Sequence, residues 1–208
     1  CRLSRVFILI AAVSLLVGCS TLPVQYADIV PQTLSPLKKN PASVKVTVSG
    51  GLPTQALGQA NLSNEIFLSA VKQSIQEMGL FQSIVTENPD YQLNIVFKLP
   101  TVPDGMTMTS TMTAFWYLIN PKSGLSVWQD MVKTSHEGGV GDAWSGVKRA
   151  RLVKSASIMK NITEGLTGLG VTDLIETEKE LKDVSDRWKK EKQMADLDYL
   201  YHHLIESS

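Results

Sequence analysis

Residues 91–99 read YQLNIVFKL, and this stretch decides the fold class. Its apolar residues fill every second position: Tyr91, Leu93, Ile95, Phe97 and Leu99. Successive side chains of a strand point to opposite faces of a sheet, so the alternation predicts a strand with one buried and one wet face. Antiparallel sheets tolerate a wet face and parallel sheets rarely do, which favours a mainly antiparallel sheet.

Further strands are predicted on both sides of this one. Residues 43–49 alternate valine with polar residues, and residues 83–86 suit a short strand. Residues 107–119 and 125–135 are typical of a hairpin, because the intervening NPKSG at 120–124 is rich in turn-forming residues. The sheet is therefore expected to have four or five strands.

Two amphipathic helices are predicted within the same region. Ser63 can cap a helix that ends at Gly79, and Asp142 can cap a second helix that runs to about Leu169. Each carries one apolar stripe, so both should lie on one face of the sheet. Residues 43–170 are thus expected to form a two-layer α+β domain.

The carboxy-terminal residues 171–208 differ from this domain in composition. They are highly charged and free of glycine and proline, and they carry favourable i,i+4 pairs such as Glu178–Lys182. The pattern predicts one long helix of about 30 residues, with a narrow apolar stripe that includes Leu181, Val184 and Trp188. We expect this stripe to pack on its own domain or on a sister subunit.

The amino terminus is interpreted as a signal that targets the protein to a membrane. Arg2 and Arg5 precede twelve uncharged residues at 6–17, a run shorter than the ~20 apolar residues that span a bilayer. The run ends in Leu16 and Val17, and Gly18 and Cys19 come next. These four residues resemble the site at which a lipoprotein signal peptide is recognised and cut. The resemblance implies a signal peptide at 1–18, lipidation of Cys19, and a proline-containing lipidated tether at 19–42.

The residue after the lipidated cysteine indicates where the protein is sorted. In enterobacterial-type lipoproteins an aspartate there resembles an inner-membrane retention signal, whereas a serine such as Ser20 permits transfer to the outer membrane. The implied location is the periplasmic face of the outer membrane, held by N-terminal acyl chains. Without residues 1–18 the chain has a net charge of about −2, so it lacks the excess of basic residues that is typical of nucleic-acid-binding proteins.

Motifs for catalysis or metal binding are weak. Ser69/Lys72 and Ser145/Lys148 match Ser-x-x-Lys, but the companion motifs of penicillin-recognising enzymes are missing. The glycines at 138, 139 and 141 have neither Walker nor dinucleotide spacing, and the three histidines lack metal spacing. We therefore expect no catalytic residue, no metal and no cofactor.

Two surface features remain open. Five cations occur without an intervening acid, and they suit a solvated helix surface better than a patch for lipid phosphates: Lys148, Arg149, Arg151, Lys154 and Lys160. Methionine and threonine alternate over residues 106–113. This run either buries its methionines under the helices or offers a soft contact surface.

Several segments within residues 43–170 carry a family resemblance: residues 63–65 with the helix to 79–81, 90–93, 116–118, 141–146 and 160–162. They resemble a group of small, uncharacterised proteobacterial outer-membrane lipoproteins. The element order is also similar to the lipopolysaccharide-assembly lipoprotein and to lipoproteins that activate cell-wall synthases. These are accessory binding proteins of the envelope.

Two functions follow as expectations. The first is a non-enzymatic, lipid-anchored periplasmic accessory protein that binds an envelope protein or a glycolipid. The second is an envelope hydrolase or transferase whose site is assembled from scattered residues, which a pocket with a polar pair of shifted pKa would favour. The sequence leaves the partner and the oligomeric state open.

Overall fold

The structure is a computed structural model that describes residues 24–32, 39–52, 62–100, 102 and 105–206, with only the backbone of 196–206. The predicted signal peptide lies outside the described residues. So do its recognition residues Leu16, Val17 and Gly18, the lipidation residue Cys19 and the sorting residue Ser20. These predictions stay predictions.

The described residues form five strands and three helices after a 3₁₀ turn at Tyr26–Asp28. They are, in order, β1 (Asn40–Ser49), α1 (Asn64–Met78), β2 (Phe81–Ile84), β3 (Tyr91–Lys98), β4 (Met108–Ile119), β5 (Ser126–Gly138), α2 (Gly146–Gly170) and α3 (Leu174–Glu206). The predicted α+β class, the five-stranded sheet and the long C-terminal helix are confirmed.

The sheet has the order β2-β1-β3-β4-β5 and is mixed. β1 pairs in parallel with β2 and with β3, while the longer β3–β4 and β4–β5 ladders are antiparallel. The sheet is therefore mostly antiparallel, as predicted. The parallel pairs exist because α1 provides the long crossover connection that two parallel neighbours need.

The first predicted helix has the expected boundaries, and the second begins later than expected. The Ser63 hydroxyl accepts a hydrogen bond from the Ile66 N–H at 3.3 Å, and Gly79 ends α1 in the left-handed region at φ 65°. Asp142 does not cap α2, because its carboxylate accepts the Gly139 N–H at 2.8 Å and closes a turn. α2 starts at Gly146 instead.

The two helices α1 and α2 cover one face of the sheet. Trp116 lies at the centre of this core, only 1% exposed, and its indole Nε1 donates to the Asn161 side chain at 3.1 Å. A methyl group on Gly165 would lie within 2.6–2.9 Å of the Trp116 ring. The glycine therefore lets α2 approach the indole closely enough to fill the core.

Residues 24–32 fall within the segment predicted as a tether, but they pack on the domain. Val24, Ile29 and Val30 are buried in the core, and Asp28 forms an ion pair with Arg151 at 2.7 Å. Burial opposes ionisation of Asp28, yet the hydrogen bonds from Arg151 and from the Gln25 N–H lower its pKa. The sequence did not predict this docking, because Val24, Ile29 and Val30 form no periodic apolar pattern.

Candidate interaction surfaces

The uncovered face of the sheet carries an apolar row that crosses three strands. Strand register places Val96 opposite Phe115, and Phe115 opposite Met131. Their side chains share the face away from α1 and α2, because their strand neighbours, such as Trp116, point into the core. We call these three residues the open-face row.

The open-face row is exposed although its residues are large and apolar. Val96 is 40% exposed, Phe115 52% and Met131 57%. Single exposed apolar side chains are normal on a protein surface, but three adjacent ones in register form a contiguous patch. Such a patch is typical of a contact surface.

Polar rows flank this patch on both sides. On one side Lys98 lies opposite Thr113, which in turn lies opposite Lys133. On the other side Asn94 is opposite Tyr117, and the Asn94 side chain accepts hydrogen bonds from Thr47 and, at 2.8 Å, from Gln92. An apolar row with a basic edge suits a partner that is apolar at its centre and acidic at its border.

Helix α3 presents a second apolar surface. The start of α3 is fastened to the domain: Leu174 is buried, and Glu178 accepts hydrogen bonds from the Tyr91 hydroxyl at 2.9 Å and from the Asn120 side chain. Burial of Tyr91, together with the neighbouring Glu178 carboxylate, raises the pKa of Tyr91 to about 12.

Further along α3 the predicted stripe is open to solvent. Val184 and Trp188 are exposed, and Leu181 is half-buried. At ~100° per residue, Leu181, Val184 and Trp188 fall on one side of the helix, whereas the exposed Met194 falls well away from them. We call Leu181, Val184 and Trp188 the α3 stripe.

The five cations do not form one patch. Arg151 is paired with Asp28, the Lys160 ammonium donates to the Ser135 carbonyl at 3.2 Å, and Lys148 is exposed. Arg149 and Lys154 are buried, and burial lowers the pKa of Lys154. The expectation of a solvated helix surface therefore fails for these two residues, which point inward from α2.

The methionine–threonine run is divided between core and surface. Met108 and Met112 are buried, which agrees with methionines packed under the helices, whereas Met106 is exposed. Strand alternation places the intervening threonines of β4 on the open face.

The described part of the chain offers little for chemistry. No group of three or more histidine, cysteine or acidic side chains in it could hold a metal ion. A cavity of about 380 Å³ lies at the α2–α3 turn, and its lining includes the apolar residues Leu80, Phe81 and Leu169 and the charged residues Lys39 and Asp173. Neither Asp90 nor Tyr91, whose pKa values are shifted, lines it. None of the described helices is long and apolar enough to cross a bilayer.

Comparison with known proteins shows what the fold is similar to. No protein-family model matches the sequence, and no curated protein matches it by sequence. Protein XCC0632 from Xanthomonas campestris, of the family DUF330, has a similar structure, with a TM-score of 0.50 and 13% identity over 72% of this chain and 95% of that one. This likeness shows a shared fold.

Two solved lipoproteins resemble the chain more loosely. Lipoprotein GNA1162 from Neisseria meningitidis gives a TM-score of 0.39 with 12% identity over 62% of this chain and 99% of that one. A minor lipoprotein from Acinetobacter baumannii gives 0.42 with 9% identity over 63% and 95%. Both figures describe a loose likeness of fold.

Sequence reasoning identified the α3 stripe but missed the open-face row. In the sequence, the row is visible as apolar residues at positions where the alternation calls for polar ones. Val96 stands between Ile95 and Phe97, and Phe115 stands beside Trp116. Only the register of β3, β4 and β5 shows that these interruptions lie side by side.

Proposed function

We propose that this protein is a lipid-anchored accessory protein of the bacterial envelope that assembles with copies of itself. In this assembly α3 of one copy lies on the open sheet face of the next. The carrying observation is the open-face row, an exposed apolar patch on a molecule whose helix α3 also carries an exposed apolar stripe. We further propose that Cys19 carries the lipid and that Ser20 directs the protein to the periplasmic face of the outer membrane.

The energetics of α3 support the proposal that another surface covers the α3 stripe. Each i,i+4 charge pair adds only ~0.2–0.5 kcal/mol to a helix, and helical stability in proteins comes mostly from packing of an apolar face. Val184 and Trp188 have no such cover within the described chain. A helix of 33 residues extends about 50 Å, which is long enough to cross the sheet of another copy.

Charge also favours this pairing. Residues 174–186 contain five acidic side chains and two lysines. The open-face row is bordered by Lys98 and Lys133. Opposite charges at the edge of an apolar contact fix its orientation and favour the correct partner.

The assembly can be tested by cysteine crosslinking in isolated membranes. If Cys19 is acylated, cysteines introduced at position 115 or 184 are the only free thiols of the mature chain. Co-expressed Phe115→Cys and Val184→Cys copies should form a mixed disulfide dimer. Phe115→Cys with Met194→Cys is the matched control, because Met194 is equally exposed on α3 but lies off the stripe.

Charge substitutions give a second readout on the purified full chain in detergent. Phe115→Asp and Val184→Asp should each lower the sedimentation mass to that of the monomer, whereas Met194→Asp should leave the assembly intact. A wild-type chain that sediments as a monomer, or an assembly that survives both stripe and row substitutions, would contradict the proposal.

The lipid anchor has its own test. Cys19→Ala should leave an uncleaved precursor that incorporates no labelled palmitate. Ser20→Asp should hold the protein in the inner membrane. Normal processing of Cys19→Ala would overturn the anchor, and unchanged fractionation of Ser20→Asp would overturn the sorting assignment alone.

A further inference from the structure

Two loops meet at one end of the sheet, and a buried arginine joins them. The loop before β4 and the loop between β5 and α2 are brought together because Met108 pairs with Gly138 at the end of the β4–β5 ladder. The Arg149 guanidinium donates to the Gly105 carbonyl at 2.9 Å and to the Ala143 carbonyl at 2.8 Å. One side chain therefore fixes the backbones of both loops.

The position of Arg149 in α2 explains this geometry. It lies in the first turn of the helix, and long helical side chains point back toward the helix N-terminus. The side chain is only 6% exposed, and its hydrogen bond to the Ala143 carbonyl is made away from water, where it holds the loop more firmly.

The loops fixed by Arg149 expose large apolar side chains. Trp144 is 89% exposed and Met106 is 78% exposed, and Val147 at the start of α2 is also exposed. Lys148 lies beside them in the solvent. We call Met106, Trp144 and Val147 the loop tip. Tryptophan beside lysine is typical of side chains at a membrane–water interface, where one end of the indole is apolar and the other is wet.

The N-terminal segment runs toward this tip. Pro31 and Gln32 lie beside Met159–Glu164 of α2, whereas Gln25 and Asp28 contact Arg151, near the start of the helix. Followed backward along the chain, the segment therefore approaches the end of α2 that carries Trp144. Only four residues, 20–23, lie between Cys19 and Val24, and the five steps from one to the other reach at most about 18 Å.

We infer that the loop tip contacts the phospholipid surface, with Trp144 and Met106 inserted among the headgroups. This inference rests on the proposed lipid anchor, because acyl chains on Cys19 would hold Val24 within about 18 Å of the bilayer. The anchor then acts as a short linker that raises the effective concentration of the tip at the membrane. An apolar tip fixed by Arg149 can enter the headgroup layer without ordering a flexible loop first.

Quenching of tryptophan fluorescence by brominated phosphatidylcholine tests the inference directly. The full acylated chain is reconstituted into vesicles, and its acyl groups are verified by mass spectrometry. Bromine quenches only nearby indoles, so the wild type should lose fluorescence in brominated vesicles relative to ordinary ones. Trp144→Phe should lose most of this quenching.

Trp128→Phe is the control, because Trp128 is half-buried on β5 and belongs neither to the loop tip nor to the α3 stripe. It should leave the quenching unchanged. Circular dichroism should show the same fold for both variants. Equal quenching of the wild type and Trp144→Phe in acylated protein would overturn the inference and leave the anchor standing.

Other outcomes are equally decisive. Protein without acyl groups would overturn the proposed anchor and this inference together. A Trp144 emission shifted in envelope extracts but insensitive to brominated lipid would assign the tip to a protein partner instead, and so overturn the lipid contact.

Discussion

Strand β4 carries two adjacent aromatic side chains that lie on opposite faces of the sheet. Trp116 is fully buried under α2, while its neighbour Phe115 is half exposed on the other face. Both are large aromatic residues one position apart, so sequence alone distinguishes them poorly. The difference lies in the cover, since two helices close one face and the described chain leaves the other open. Aromatic area that is buried stabilises the fold, whereas aromatic area left in water is available for binding.

The comparison predicts a large difference between two alanine substitutions. Trp116→Ala should destabilise the protein by about 3–5 kcal/mol, because it leaves a cavity in a packed core. Phe115→Ala should change stability by no more than about 0.5 kcal/mol, as is usual at surface positions. Urea unfolding at concentrations below self-association measures both.

Similar losses of stability for Trp116→Ala and Phe115→Ala would contradict the comparison between the two faces. A large loss for Phe115→Ala in the monomer would show that another part of the same chain covers the open face. In that case α3 would pack on the sheet of its own chain, and the proposed assembly between copies would be wrong.

The covered face was largely predictable from sequence. Alternation over residues 91–99 and 107–119 identified β3 and β4, and a cap at Ser63 with an end at Gly79 gave α1 its boundaries. These signals are local, because side-chain direction and capping depend on neighbours within a few residues. Local patterns therefore predicted the elements and the layer that α1 and α2 form.

What could not be predicted depends on contacts between distant residues. The parallel pairing of β1 with β3 and the alignment of Val96 with Phe115 follow from strand register, which alternation does not specify. The docking of residues 24–32 depends on an ion pair between Asp28 and Arg151, 123 positions apart. Likewise Arg149 belonged to a run of cations in the sequence, and only the fold shows that it joins two loops.

A second comparison concerns one asparagine on each face. Asn161 is fully buried, where its amide donates to the Val132 carbonyl at 2.9 Å and its oxygen accepts from the Trp116 indole. Asn161→Ala should destabilise the protein by about 1–3 kcal/mol, because both partners lose a hydrogen bond away from water.

Asn94 on the open face is the matched control. Asn94 is itself only 9% exposed, but its partners Thr47 and Gln92 are half-buried, so water can reach them when the amide is removed. Asn94→Ala should therefore cost less than about 1 kcal/mol. Equal losses in urea unfolding would show that the open face is as dry as the core, which would point to a cover over it.

The smallest expected effect concerns Asp90, at the border of the open face. Its carboxylate accepts the Ser43 backbone N–H at 3.0 Å and the Ser43 hydroxyl at 2.8 Å, with Lys122 at 3.3 Å. These contacts, led by the Ser43 N–H, lower the pKa of Asp90 from 3.8 to about 2. Because the folded state favours the ionised form, this contribution to stability is complete above the unfolded pKa of about 4 and is lost as pH falls through about 2.

Asp90→Asn removes this titration while keeping an oxygen that can accept from Ser43. The difference in unfolding free energy between the wild type and Asp90→Asn should therefore be constant above about pH 5 and shrink as pH falls from 4 to 2. The change should be small, because the carboxylate is exposed and its pairing with Lys122 is screened by water. Urea unfolding across this range measures it, and parallel curves for the two proteins would show that Ser43 does not favour the carboxylate.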